Sequence, residues 1–287
     1  QMIREIKKLG FKSVELGYGL TLDLVPEIIH MIEKNEIIIA SVHNFCPVPV
    51  WAPFGHPELF ELSSTMTRNR ESAVSYTKAT IEFAARVGAK VVVTHAGRVA
   101  MDNFTADLVE MCHEGNRFDP RFDKIKTKMM EQRQKKAGKH VTAFSRSIDD
   151  LLPELKKYGI TLAIENLPSW ESFPSEHELE MIMVQYNTPE IMYWHDMGHG
   201  QIREYLGFIS HERWLSRLSK KLAGMHVHDV DGVRDHLVPS HGKINFNNFK
   251  EYARSCNVIV LEPAPGTPAE HLAEGVKFIR ETWDLPE

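Results

Sequence analysis

Cysteine is scarce: Cys46, Cys112 and Cys256 are the only three in 287 residues, far apart and in no C-x-x-C spacing. That excludes a disulfide framework and a cysteine-built zinc site, and it suits a reducing, cytoplasmic compartment. Long apolar runs are missing as well. No stretch approaches the roughly 20 apolar residues of a membrane span, and no signal-peptide pattern opens the chain. Charge of one sign is never concentrated, and the net charge is −5. The densest basic run, KIKTKMMEQRQKKAGKH at 124–140, reads as a solvated helix face rather than a nucleic-acid surface. A soluble protein is expected, with no membrane and no nucleic acid among its partners. Oligomeric state is unreadable, so a homo-oligomer stays open.

Histidine, by contrast, is abundant, with fifteen residues. So many imidazoles point to pH-sensitive or metal-binding chemistry, although abundance alone decides nothing. Short β-branched runs alternate with longer helical patterns. The strand-like runs cover 12–17, 37–44, 90–97, 160–166, 191–199, 222–229 and 258–263. Their near-continuous apolar character fits a parallel sheet covered on both faces. Amphipathic helices are expected over 2–11, 23–35, 70–88, 147–159 and 269–283. This alternation is the pattern of an α/β fold.

A closed (β/α)₈ TIM barrel needs eight strands and seven are visible, so a barrel whose first strand is missing from the chain is expected. An open seven-stranded sheet is the alternative. One domain over 1–287 is expected, with a charged, partly helical insertion at about 98–140.

Six of the seven runs carry ligand-capable residues at or near their C-terminal ends. These are His43, His95, Glu165, Asp196 with His199, His226 with His228, and Glu262. Each alone has an ordinary explanation as a loop hydrogen-bond partner or helix cap. Together they are harder to dismiss, because the C-terminal strand ends of a barrel converge on one face. The mixture of imidazole and carboxylate suits Zn²⁺, Mn²⁺ or Co²⁺, suits Mg²⁺ less, and does not suit Ca²⁺. Strand alternation turns His195 away from Asp196, toward the packing layer.

The ordered set RESAVSYTKATIEFAARVGAKVVVTHAG, LAIEN, DMGH, HVHD and LEP resembles the xylose isomerase-like TIM barrel superfamily. That superfamily holds sugar-phosphate isomerases and epimerases and the endonuclease IV branch of DNA repair. The resemblance implies one divalent ion held by Glu165, Asp196, His226 and Glu262. Glu165 and Glu262 would be the catalytic pair, moving the proton next to the sugar carbonyl. It further implies that Glu171 touches substrate and that His199 bonds the sugar, with Trp170 and Phe45 as candidate apolar walls. The endonuclease branch holds more metal, and His43, His95, His199 and His236 match its additional ligands. It also has an aspartate where this chain has Arg234, which puts a third ion in doubt. Arg234 is instead a candidate for binding an anionic substrate group.

The leading expectation is a divalent-metal-dependent isomerase or epimerase acting on a small sugar, sugar phosphate or polyol through an enediolate. The alternative is a zinc-dependent phosphodiesterase of the abasic-site endonuclease kind. A non-enzymatic binder is the least favoured, since erosion would normally remove ligands.

Overall fold

The computed structural model describes residues 2–285. Seven parallel strands form one sheet: β1 (Ser13–Leu16), β2 (Ile38–His43), β3 (Val91–Thr94), β4 (Thr161–Glu165), β5 (Ile191–Asp196), β6 (Leu222–Val227) and, after a hairpin, β9 (Val258–Leu261). The hairpin is β7 (Asp229–Asp231) with β8 (Arg234–Leu237). The sheet order is β1-β2-β3-β4-β5-β6-β9, so consecutive strands neighbour each other throughout. This is the α/β TIM-barrel architecture, with β1 and β9 as its edge strands among the described residues.

The helices are α1 (Met2–Lys8), α2 (Val25–Glu33), α3 (Thr67–Arg86), α4 (Phe104–His113), α5 (Pro120–Tyr158), α6 (Glu176–Gln185), α7 (Met197–Tyr205), α8 (His211–Leu218), α9 (Lys250–Ser255) and α10 (Ala269–Trp283). Among the described residues none is long and apolar enough to cross a membrane. The charged segment after β3 differs from expectation in one respect. Its second half does not stop near 140 but runs on through 147–159 as the single 39-residue helix α5. Asp119 caps its start by accepting from Arg121 N, and Gly159 in the left-handed conformation ends it.

Strand alternation divides the side chains into two sets. Outward residues such as Val42, Val92, Leu162, Ile164, Tyr193 and Met225 join the large core beneath the helices. Val91, Val93, Ala163, Trp194 and Ala223 form a separate apolar cluster inside the barrel. Trp194 is its bulk, and Gly224 makes room for it: a Cβ there would stand 2.0 Å from the indole. The plug matters for function because the next inward residue on each strand lies just above it. On β4 that residue is Glu165, on β5 Asp196 and on β6 His226, whose ring meets Trp194 edge-on at 5.0 Å.

Candidate metal centre

The inward residues above the plug converge on His226. Its Nδ1 lies 3.1 Å from both Glu165 Oε1 and Glu262 Oε2, and 3.8 Å from Asp196 Oδ2. Glu165 and Asp196 are buried, whereas the Glu262 side chain is 33% exposed and faces the mouth. The second Glu165 oxygen, Oε2, faces His43 Nε2 at 3.1 Å and His95 Nε2 at 3.3 Å. Glu165 thus stands between two sets of donors. Four groups each offer ligand atoms within 4.8 Å of one another: His43, His95 and Glu165; Glu165, Asp196 and His199; Asp196, His226 and Glu262; and His199, His228 and His236.

Hydrogen bonds fix which nitrogen of several rings is available. His43 Nδ1 bonds the Asn44 carbonyl at 3.0 Å, His199 Nδ1 the Asn166 carbonyl at 2.9 Å, and His236 Nδ1 the Glu262 carbonyl at 3.1 Å. A carbonyl only accepts, so each Nδ1 carries the hydrogen, and in the neutral ring Nε2 keeps a lone pair. An imidazole lone pair 3.1 Å from a carboxylate oxygen is repulsive unless a proton or cation lies between them. Buried carboxylates, pre-set nitrogen donors and mixed N/O chemistry therefore fit a divalent transition-metal ion, with carbonyl-anchored rings as its outer support.

The electrostatics agree. Burial alone would raise Glu165, but His226 and His95 hold its carboxyl well below the usual range. Burial alone would lower His226, yet Glu262, Glu15 and Glu165 hold it well above the ordinary imidazole value. His95 is pushed up to about 9, because Glu165 and Glu58 outweigh its burial. Each imidazole attracts positive charge, as a proton or as an ion.

Two carboxylates not marked in the sequence support the centre from behind. Glu15 Oε1 lies 3.0 Å from His226 Nε2, and Ser41 Oγ donates to its other oxygen at 2.6 Å. Glu58 Oε1 lies 3.7 Å from His95 Nδ1. Tyr18 stands edge-on to His43 at 5.2 Å, its phenol kept protonated by burial and by Glu262 and Glu165. Glu15 had one available signal, since alternation along β1 points it inward.

The structure brings together His43, His95, Glu165, Asp196, His199, His226, His236 and Glu262. It does not bring in four other residues singled out from the sequence. Glu171 is fully buried with both oxygens taken by Thr105, its N at 2.9 Å and its Oγ at 2.5 Å. Its carboxylate pins α4 to the loop after β4 and has no free face for a substrate. Phe45 is 2% exposed and packs edge-on against Phe60 in the core. Trp170 stacks on Phe208 at 4.6 Å, with Arg133 and Arg203 over its ring. Arg234 is exposed on β8, paired in register with Asp231. His195 turns outward as expected, bonded to Tyr193 Oη and to His211 Nε2.

A family model described as "Xylose isomerase-like TIM barrel" matches residues 3–282. A relative from Methanocaldococcus jannaschii, "Uncharacterized protein MJ1614", is 27% identical over 258 residues, covering 90% of this chain and 82% of its own. Among solved structures, a D-tagatose 3-epimerase-like protein superposes with a TM-score of 0.69 at 16% identity, covering 98% of this chain and 92% of that one. The 3-keto-D-glucoside 4-epimerase YcjR from E. coli gives 0.67 at 17% identity, with 97% and 92% covered. The IOLI protein, solved with a binding zinc atom, gives 0.63 at 14% identity, with 98% and 91% covered.

Proposed function

Since the chain belongs to the xylose isomerase-like TIM barrel family, we propose that it is a divalent-metal-dependent isomerase or epimerase of a small sugar or sugar phosphate. The observation that carries this reading is the pair Glu165 and Glu262, each 3.1 Å from the same His226 nitrogen. Glu165, Asp196, His226 and Glu262 would hold the ion, a set suited to Zn²⁺, Mn²⁺ or Co²⁺. When bound there, such an ion supplies polarisation of a carbonyl and its neighbouring hydroxyl, which lowers the cost of enediolate charge.

The chain's own residues do the rest. Glu165 is held deprotonated by its imidazole neighbours, which suits it to take the proton next to the carbonyl. Glu262, the more open carboxylate, would take a proton from solvent at the mouth and pass it to the enediolate, while Glu165 gives up the proton it removed to solvent in turn. His199, anchored through Nδ1, turns Nε2 toward a sugar hydroxyl. Tyr18 adds a neutral O–H donor at the rim. Epimerase neighbours of the same fold are consistent with this class of substrate.

The test is solvent exchange. Metal-loaded protein is incubated in D₂O with a panel of ketoses and ketose phosphates, and deuterium entry at the carbon next to the carbonyl is followed by NMR. Glu165→Gln and Glu262→Gln should each slow exchange by about 10²–10⁴-fold. Absence of exchange across the panel would sink the reading.

One observation favours a second reading. The two histidines on Glu165 Oε2 build a further ion locus beside the first. Adjacent ions are the arrangement that activates water and stabilises both oxygens of a phosphodiester displacement. Abasic-site DNA cleavage, assayed with added zinc over a salt series, discriminates between the two. Cleavage that weakens steeply with salt supports hydrolysis.

A further inference from the structure

His228 belongs to the last of the four ligand-atom groups, with His199 and His236, yet its hydrogen bonds assign it different work. It is fully buried, and its Nδ1 accepts the backbone N–H of His236 at 2.8 Å. An accepting Nδ1 bears no hydrogen. The ring's one hydrogen is therefore on Nε2, which points at Asp196, 3.0 Å from Oδ1 and 3.1 Å from Oδ2. Coordination through Nε2 would strip the ring of its only hydrogen while the His236 N–H still occupies Nδ1. The ring would then have to bind as an imidazolate or break the backbone bond.

We propose that His228 is not a metal ligand but the residue that positions Asp196, presenting one chosen carboxylate oxygen to the ion. This rests on the metal-centre reading above. Asp196 Oδ1 accepts from His199 N at 2.7 Å and shares the His228 Nε2–H with Oδ2. Oδ2 keeps the freer lone pairs, on the side of His226. The carboxylate is thus clamped from the α7 side and from the β6 side at once.

The surroundings show a built arrangement. A Cβ at Gly198 would stand 1.9 Å from His228 Cε1, so the first turn of α7 passes over the ring only because that residue is glycine. His236 takes the left-handed conformation, φ 52°, uncommon outside glycine, and its N–H reaches His228. The His236 ring stacks on His228 at 4.2 Å and 18°. Its Nδ1–H bonds the Glu262 carbonyl, and its own carbonyl accepts from Ala264 N at 2.9 Å. Asp196, at the end of β5, and Glu262, just past β9, are thereby tied through one stacked histidine pair. With His228 committed to Asp196, the group of three histidines offers two free nitrogens, His199 Nε2 and His236 Nε2, rather than a complete third site.

The experiment uses the whole chain with ¹⁵N-labelled histidine and zinc alone as probe. In metal-free protein His228 should appear as the Nε2–H tautomer, and it should keep that hydrogen at saturating zinc while the His226 signal shifts. Loss of the Nε2–H on zinc binding, or an Nδ1–H tautomer beforehand, overturns the proposal. If no histidine responds to zinc, the metal-centre reading falls and the proposal with it. Two variants add a second readout by chelator competition and metal counting. His228→Gln, whose amide can still donate to Asp196, should hold zinc within about threefold of wild type. His228→Leu should bind about 10- to 100-fold more weakly with unchanged stoichiometry. Equal loss of one ion in both variants overturns the proposal, as does unchanged affinity in the leucine variant.

Discussion

His211 lies buried against Gly200 and Phe249, its Nε2 on His195 Nε2 at 2.9 Å. Burial, with His195 beside it, pushes its basicity well down, and burial takes His195 to about 3. Both rings therefore stay neutral in the folded protein while the unfolded chain protonates near 6.5. Their contribution to stability is fully present above about pH 6.5 and is lost as the pH falls below it, by up to about 1.4 kcal/mol per pH unit for each ring. His211→Phe keeps the volume and removes one such group. Urea unfolding at pH 6.5, 5.5 and 4.5 should show a shallower acid slope for the variant, and parallel slopes would refute the assignment. The candidate ligands are legible at this same scale because each ends a near-continuous apolar run. Glu15 is not, since SVEL carries no second cue and its meaning comes from His226, 211 positions away. Glu171 misled for the converse reason: Thr105, in the segment between β3 and α5, takes both its oxygens.

Among the elements, the hairpin β7–β8 depends on one carboxylate. Asp229 Oδ1 accepts from Val230 N and Ile244 N, and Oδ2 from Ser240 N and Gly242 N, all at 2.8–3.0 Å. Four backbone donors on a buried carboxylate hold the loop that follows β8, and a Cβ at Gly242 would stand 2.4 Å from Asp229 Oδ1. Asp229→Ala leaves those donors without their acceptor and should cost about 3 kcal/mol or more. Thermal melts should show a fall of about 5 °C; a change within about 1 °C would mean that water replaces the carboxylate without penalty. The strands are legible as elements in the sequence, whereas the continuity of α5 is not. Its buried face does continue through Phe122, Met129, Arg133, Ala137, His140 and Phe144. Arg133 and His140 disguise that face as polar. In the fold Glu178 pairs with the first at 2.6 Å, while the Ser63 carbonyl and Ala100 N satisfy the second.

Across the whole molecule, Glu15, Glu58, Glu165, Asp196 and Glu262 concentrate negative charge at one end of the barrel. That convergence was readable from strand ends plus barrel topology, though the outer supporting carboxylates were not. Either protons or metal ions can balance the charge, and the two respond oppositely to pH. Without metal, His95 titrates at about 9, above its unfolded value, so its contribution is full below about pH 6.5 and lost as the pH rises through 9. The shift is worth roughly 3 kcal/mol across that window. With an ion at the locus of His43, His95 and Glu165, those imidazoles are already unprotonated, and the loss does not occur. Metal-loaded protein should therefore melt above EDTA-treated protein, by about 2.7 kcal/mol of stabilisation at free zinc one hundred times Kd. The gap should widen from pH 6.5 to pH 9 and narrow below, as protons compete for the same nitrogens. Calorimetry of the two forms across that range checks both sign and size. A gap independent of pH would place the ion away from these histidines, and no gap at all would remove it from the folded centre.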